Sequence, residues 1–143
     1  MRLLFILLCL PTILFSQVEI TSRENMSVFK MVEEMPQFLD CGEVRVLSRS
    51  ECFQDYLCKN LKYPAFAKKH KVQGEVIVSF EIGTTGKVEH AKIIQDIGAG
   101  CGIHTLAFVN AMPNWTPGKQ RGIIVPVLYK LSVDYRLPNL DCR

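Results

Sequence analysis

The side chains able to do chemistry are few, and their spacing excludes more than it supports. Of six cysteines, Cys9 lies in an apolar N-terminal run, which leaves Cys41, Cys52, Cys58, Cys101 and Cys142. An odd set leaves at least one thiol unpaired in a monomer, or bridging two chains. No C-x-x-C occurs, so neither a zinc site nor a thioredoxin-like redox pair is encoded. His70, His90 and His104 lack a second ligand at i+4 and read as surface or locally packed rings. Glu51 and Asp55 share a helix face as a solvated pair. Gly98, Ala99 and Gly100 tempt a phosphate-loop reading, but the G-x-G-x-x-G spacing fails and no Walker lysine follows, so the stretch is a loop. No nucleophile stands beside a base. The sequence therefore predicts no catalytic residue, no metal, no cofactor and no enzyme.

What remains is the chemistry of the backbone itself. From Ile123 onward every odd position, Val125, Val127, Tyr129, Leu131, Val133, Tyr135 and Leu137, is apolar, whereas Lys130, Ser132, Asp134 and Arg136 hold even ones. That period predicts one long half-buried strand. Pro126 cannot donate a ladder hydrogen bond, so the strand is expected at a sheet edge or bulged there. An edge is a docking site for another chain as well as a liability.

Upstream elements must support that strand. Ser48 and Glu51 form a capping box before Phe53, Tyr56, Leu57 and Leu61 at helical spacing, which predicts a helix of about three turns. Tyr63 and Pro64 open a second helix, expected to run to about Val72 and end by Gly74. Val76, Val78, Phe80 and Ile82 alternate along a strand, a Gly83–Gly86 turn follows, and a second strand from Lys87 to about Gln95 completes a hairpin. A third helix, from about Ile103 to Met112, should face the hairpin through Ile103, Leu106, Ala107 and Asn110 with Phe108 and Met112, and Pro113 stops it. The expected fold is α+β: a small antiparallel sheet, hairpin plus long C-terminal strand, with two to three helices packed on one side.

The totals set the setting. A chain of 143 residues holds one domain. Arg2 followed by the apolar run Leu3 to Phe15 and small Ser16 reads as a secretory signal peptide over 1–17, cleaved near Ser16 or Gln17. That run is well short of the roughly 20 residues a membrane-spanning helix needs. Bulky Leu8 disfavours a lipid on Cys9. Residues 18–27 read as a flexible lead-in, 28–137 as the domain and 138–143 as a tail. The expected location is periplasmic or secreted, and membrane contact is expected only if the leader is kept as an anchor. The net charge of +3 lacks the basic stripe of a nucleic-acid binder. Lys68, Lys69, His70 and Lys71 form the only basic run, read as a solvated helix face.

Three stretches, YPAFAKKHKVQGEVIVSFEIGTTGKVEHAKI at 63–93, AMPNWTPGKQRG at 111–122 and the final strand, together resemble the C-terminal domain of the TonB energy-transducer family. The resemblance implies a periplasmic domain whose last strand receives the TonB box of an outer-membrane transporter as an added strand. By matching position the recipient backbone is Ile123, Ile124, Val125, Pro126, Val127, Leu128, Tyr129, Lys130 and Leu131. Tyr63, Pro64, Gly74, Gly86, Pro113, Trp115, Pro117 and Gly118 are the matching structural positions. The family's double glycine is replaced by Cys41-Gly42, which resembles a variant with a second cysteine near Cys52. A Cys41–Cys52 disulfide is thereby implied, closing a loop that contributes roughly 2–3 kcal/mol. The transducers' membrane helix and proline-rich spacer have no counterpart here. The alternative is an accessory module that forms a homodimer through the same edge or contacts the cell envelope, without energy transduction.

Overall fold

The computed structural model describes residues 28–39, 49–137 and 140–141. The leader, Cys41, Ser48 and Cys142 lie outside them, so the signal peptide, the capping box and the Cys41–Cys52 pairing concern residues not described. A short strand β1 (Gln37–Phe38) precedes helices α1 (Arg49–Asn60) and α2 (Ala65–Lys69). Strands β2 (Gly74–Ile82) and β3 (Val88–Gln95) form the hairpin, followed by α3 (Cys101–Asn110). Then come β4 (Trp115–Thr116), β5 (Gly118–Gln120), β6 (Ile123–Val125), β7 (Val127–Tyr135) and β8 (Leu140–Asp141). The main sheet has the order β3-β2-β7-β8 and is antiparallel throughout. This is the α+β architecture that the segregated pattern predicts.

Alternation builds the core as expected. Val76, Val78, Phe80 and Ile82 of β2 are completely buried. Opposite them in register stand Val133, Leu131, Tyr129 and Val127 of β7. Directly opposed residues of an antiparallel pair share a face, so the two apolar rows make one surface, against which Leu57, Ala67, Phe108 and Val109 pack from the helices and Leu61 from just after α1.

The phase of α3 corrects the sequence-based expectation. Its buried residues are Cys101, Gly102, Thr105, Phe108 and Val109, whereas Ile103 is 68% exposed and Ala107 and Asn110 are also exposed. The helix begins two residues earlier than periodicity suggests, and the reason is polar. Asp96 Oδ1 accepts the backbone N–H groups of Gly98 (3.0 Å) and Gly102 (2.9 Å), so a carboxylate from outside the helix caps its first turn. Thr105 then turns inward because its hydroxyl donates to the Cys101 carbonyl (2.9 Å) and takes the Tyr135 hydroxyl at 2.8 Å. Within the glycine loop the Gly98 amide serves Asp96.

α2 also stops before the expected point. Lys71 adopts a left-handed backbone, φ +54°, while Val72 N–H bonds to Ala67 O and Lys71 N–H to Lys68 O. That is a Schellman cap, closed by a lysine where glycine is the usual occupant.

Candidate functional site

The final run does not form one strand. Arg121 and Gly122 both take positive φ, +52° and +74°, and join Gln120 to Ile123 in a two-residue hairpin of the twist-matched type. Ile123, Ile124 and Val125 therefore pair with Gln120, Lys119 and Gly118, and Pro126 separates them from β7. A residue without an N–H ends one ladder and lets the next begin against β2. The expectation of a continuous edge from Ile123 onward is corrected to two pieces, of which only β7 belongs to the main sheet.

Along β7 the backbone groups of successive residues face opposite sides. The Leu128 N–H donates to the Phe29 carbonyl (2.7 Å), and Phe29 N–H donates to the Pro126 carbonyl (3.1 Å). Leu128 thus faces away from β2, and so by alternation do Lys130, Ser132 and Asp134. One end of this outward row is covered by Phe29, in a parallel bridge to Val127. The other end is covered by β8, which pairs with Asp134 and Tyr135. Between them, no backbone hydrogen bond to the outward groups of Lys130 and Ser132 occurs among the described residues. Val127, Tyr129 and Leu131 turn their backbone groups to β2 instead, through the register Ile82, Phe80 and Val78.

Below this open stretch lies an aromatic cluster. Trp115 meets Phe38, Phe53 and Tyr129 with ring centroids 5.3, 5.4 and 5.3 Å apart, and Tyr129 stacks on Phe80 at 5.7 Å. A cleft of about 270 Å³ opens beside these rings, large enough for one or two side chains.

The turn residues hold that cluster. Gly86 has φ +82° and a Cβ there would come 1.9 Å from the Trp115 carbonyl oxygen, while Trp115 N–H donates to Gly86 O at 2.8 Å. A Cβ on Gly118 would meet the Val127 side chain at 2.5 Å, so β5 passes close under the start of β7. Gly74 (φ +144°) leaves room for Ile97. Pro64 is buried at the N-terminus of α2. The Tyr63 hydroxyl donates to the Val72 carbonyl and its ring meets Tyr135 edge-on at 5.2 Å. Pro113 and Pro117 flank β4. Cys52 is buried, and neither it nor Cys58 is a free thiol. Cys101 is free and buried, and burial, then the nearby Asp96, pushes its thiol pKa up, which makes it unreactive.

Among the described residues no group of three His, Cys, Asp or Glu side chains gathers to hold a metal. His90 Nδ1 lies 2.9 Å from Glu81 Oε2 on the outer sheet face, and His70 stacks on Phe66. What sequence reasoning missed is the Phe29 bridge, a contact across about a hundred residues with no local signal.

A three-helix layer behind a small antiparallel sheet defines the class as α+β of the TonB C-terminal type. The chain belongs to the family described as Gram-negative bacterial TonB protein C-terminal, which matches residues 59–137. Comparison with curated proteins and with solved structures gave no match. Domains of this family are periplasmic, belong to energy transducers rather than enzymes, and meet protein partners.

Proposed function

We propose that this chain is a periplasmic module that receives an extended peptide, the TonB box of an outer-membrane transporter, as an added strand on β7. The observation that carries the reading is the outward backbone of Lys130 and Ser132, unpaired among the described residues between two covered ends. A guest strand there bonds the Leu128 carbonyl and both groups of Lys130 and Ser132. At roughly 1 kcal/mol net per bond, against an association cost of at least about 4 kcal/mol, main-chain pairing alone gives little affinity. The guest must also bury a side chain, and the cleft beside Trp115 and Tyr129 supplies the place. Export through the 1–17 leader and a Cys41–Cys52 disulfide complete the proposal.

The test is a titration of the isotope-labelled protein with a TonB-box peptide, read from backbone amide resonances. Shifts are expected at Lys130 to Ser132 and around Trp115. An unchanged spectrum at millimolar peptide overturns the proposal. N-terminal sequencing of the exported protein reads the leader, with a start near Gln17 expected. A self-associated form through the same edge is the competing outcome, and it shows as concentration-dependent sedimentation with the same amides shifted in the absence of peptide.

A further inference from the structure

The end of the molecule near α2 carries a feature that the peptide edge does not use. Phe66 is 62% exposed, although it sits on a well-anchored helix. Ala67 is completely buried, Pro64 is buried, and the Schellman cap at Lys71 closes the other end. The ring does not drift free, because it stacks on His70 with centroids 4.1 Å apart, and His70 Nδ1 lies 2.9 Å from the Phe66 carbonyl.

Along the chain around that ring the residues are basic. Between Asp55 and Glu75 the sequence holds five lysines, one histidine and no carboxylate. Lys59 is neutralised by Asp55 at 2.6 Å. Lys62, Lys68, Lys69 and Lys71 are exposed, and among the described residues none of them has an ion pair. Lys69 and His70 lie three and four residues after Phe66, which places them beside it on the helix surface.

We infer that this face rests on an anionic lipid surface, with Phe66 entering the headgroup layer and the four lysines meeting lipid phosphates. An exposed aromatic among unpaired lysines combines the two attractions of interfacial binding, apolar insertion and charge. Shape separates this occupant from an acidic peptide, since a ring that projects from a convex helix offers no groove to grip a chain and enters a soft interface readily. The membrane contact needs no leader. The face lies toward the Tyr135 end of β7, where the Tyr63 ring meets Tyr135, opposite the end covered by Phe29.

The experiment is flotation of the purified, folded protein with vesicles of phosphatidylcholine alone or with phosphatidylglycerol added. Binding is expected only to the anionic vesicles and is expected to fall with salt. The double variant K68E/K69E should lose at least about tenfold in partitioning, K68R/K69R should keep it, and F66S should lose several-fold with its circular dichroism unchanged. Equal binding to both vesicle types, no binding to either, or binding that survives F66S overturns the inference. Soluble polyphosphate supplies the remaining arm: competition by polyphosphate with no dependence on Phe66 identifies a general polyanion site and overturns it as well.

Discussion

β3 and β7, the two neighbours of β2, treat their outward backbone in opposite ways. β3 pairs with β2 through an interrupted register, with shifts at Ile77/Val78 and Ser79/Glu81, and His90 in its middle takes φ +50°. Exposed Glu89, His90 and Lys92 line it. β7 pairs with β2 over nine consecutive residues without a break and presents a flat, regular row outward. A bulge and charge deter a stranger from pairing at β3, whereas β7 is deterred only at its ends, by Phe29 and by β8. β3 is closed by its own geometry and β7 only by short segments at its two ends, and on the proposed reading that difference would direct a guest to β7.

Four measurements break or sharpen that contrast. The largest effect is expected at the hinge between β2 and β3. Gly86→Ala combines a left-handed backbone with a clash against Trp115, so it should destabilise the fold by about 3 kcal/mol, read as the midpoint of denaturant unfolding. A wild-type midpoint would show that the β2–β3 turn does not hold the aromatic cluster. Next comes Lys130→Pro, which removes an outward N–H and leaves the β2 ladder in place. Peptide affinity should fall at least about tenfold while the fold persists. Unchanged affinity would move the guest elsewhere, β3 being the obvious other edge. Phe29 provides the opposite sign. A chain lacking residues 28–31 uncovers the Pro126 carbonyl and the Leu128 N–H, and two more bonds at roughly 1 kcal/mol or less each should tighten binding by up to about tenfold.

The smallest effect concerns the scaffold beneath both edges. Tyr135→Phe deletes the hydroxyl bonded to Thr105 and Cys101, at a cost of roughly 1 kcal/mol. The same residue gives the protein an alkaline limit. Burial, opposed in part by the Thr105 hydrogen bond, pushes the Tyr135 pKa from 10.0 up to about 12. The folded state therefore holds that proton more firmly than the unfolded chain does. Its contribution is complete below pH 10 and is lost as pH rises toward 12. In Tyr135→Phe the decline in melting temperature over that interval should be shallower than in the wild type.

The strands were legible because alternation is a local signal. Val76 to Ile82 and Val127 to Tyr135 could be placed, face by face, from their neighbours alone. What the sequence concealed lies mainly in left-handed positions filled by ordinary residues. Lys71, His90, Ala99 and Arg121 all take positive φ, where glycine or asparagine would have announced the turn. Arg121 cost most, since the hairpin it makes with Gly122 splits the expected long strand. Asp96 and Phe29 were hidden for another reason. A carboxylate capping a helix from across a loop, and a residue bridging to a strand about a hundred positions away, leave no periodic trace. The alternation of β7 was therefore readable, but the break at Pro126 and the free length of the strand were not.

That free length has a mechanical meaning. On the proposed reading, a guest bonded only at Leu128, Lys130 and Ser132 would be held by fewer links than the nine-residue seam that fastens β7 to β2. Tension drawn along the guest loads its links in shear, side by side, while the broader seam behind them carries the same force over more bonds. On that reading the joint would slip before the receiver tears, so the proposed connection would act as a coupling that releases under load and leaves the fold intact for the next engagement.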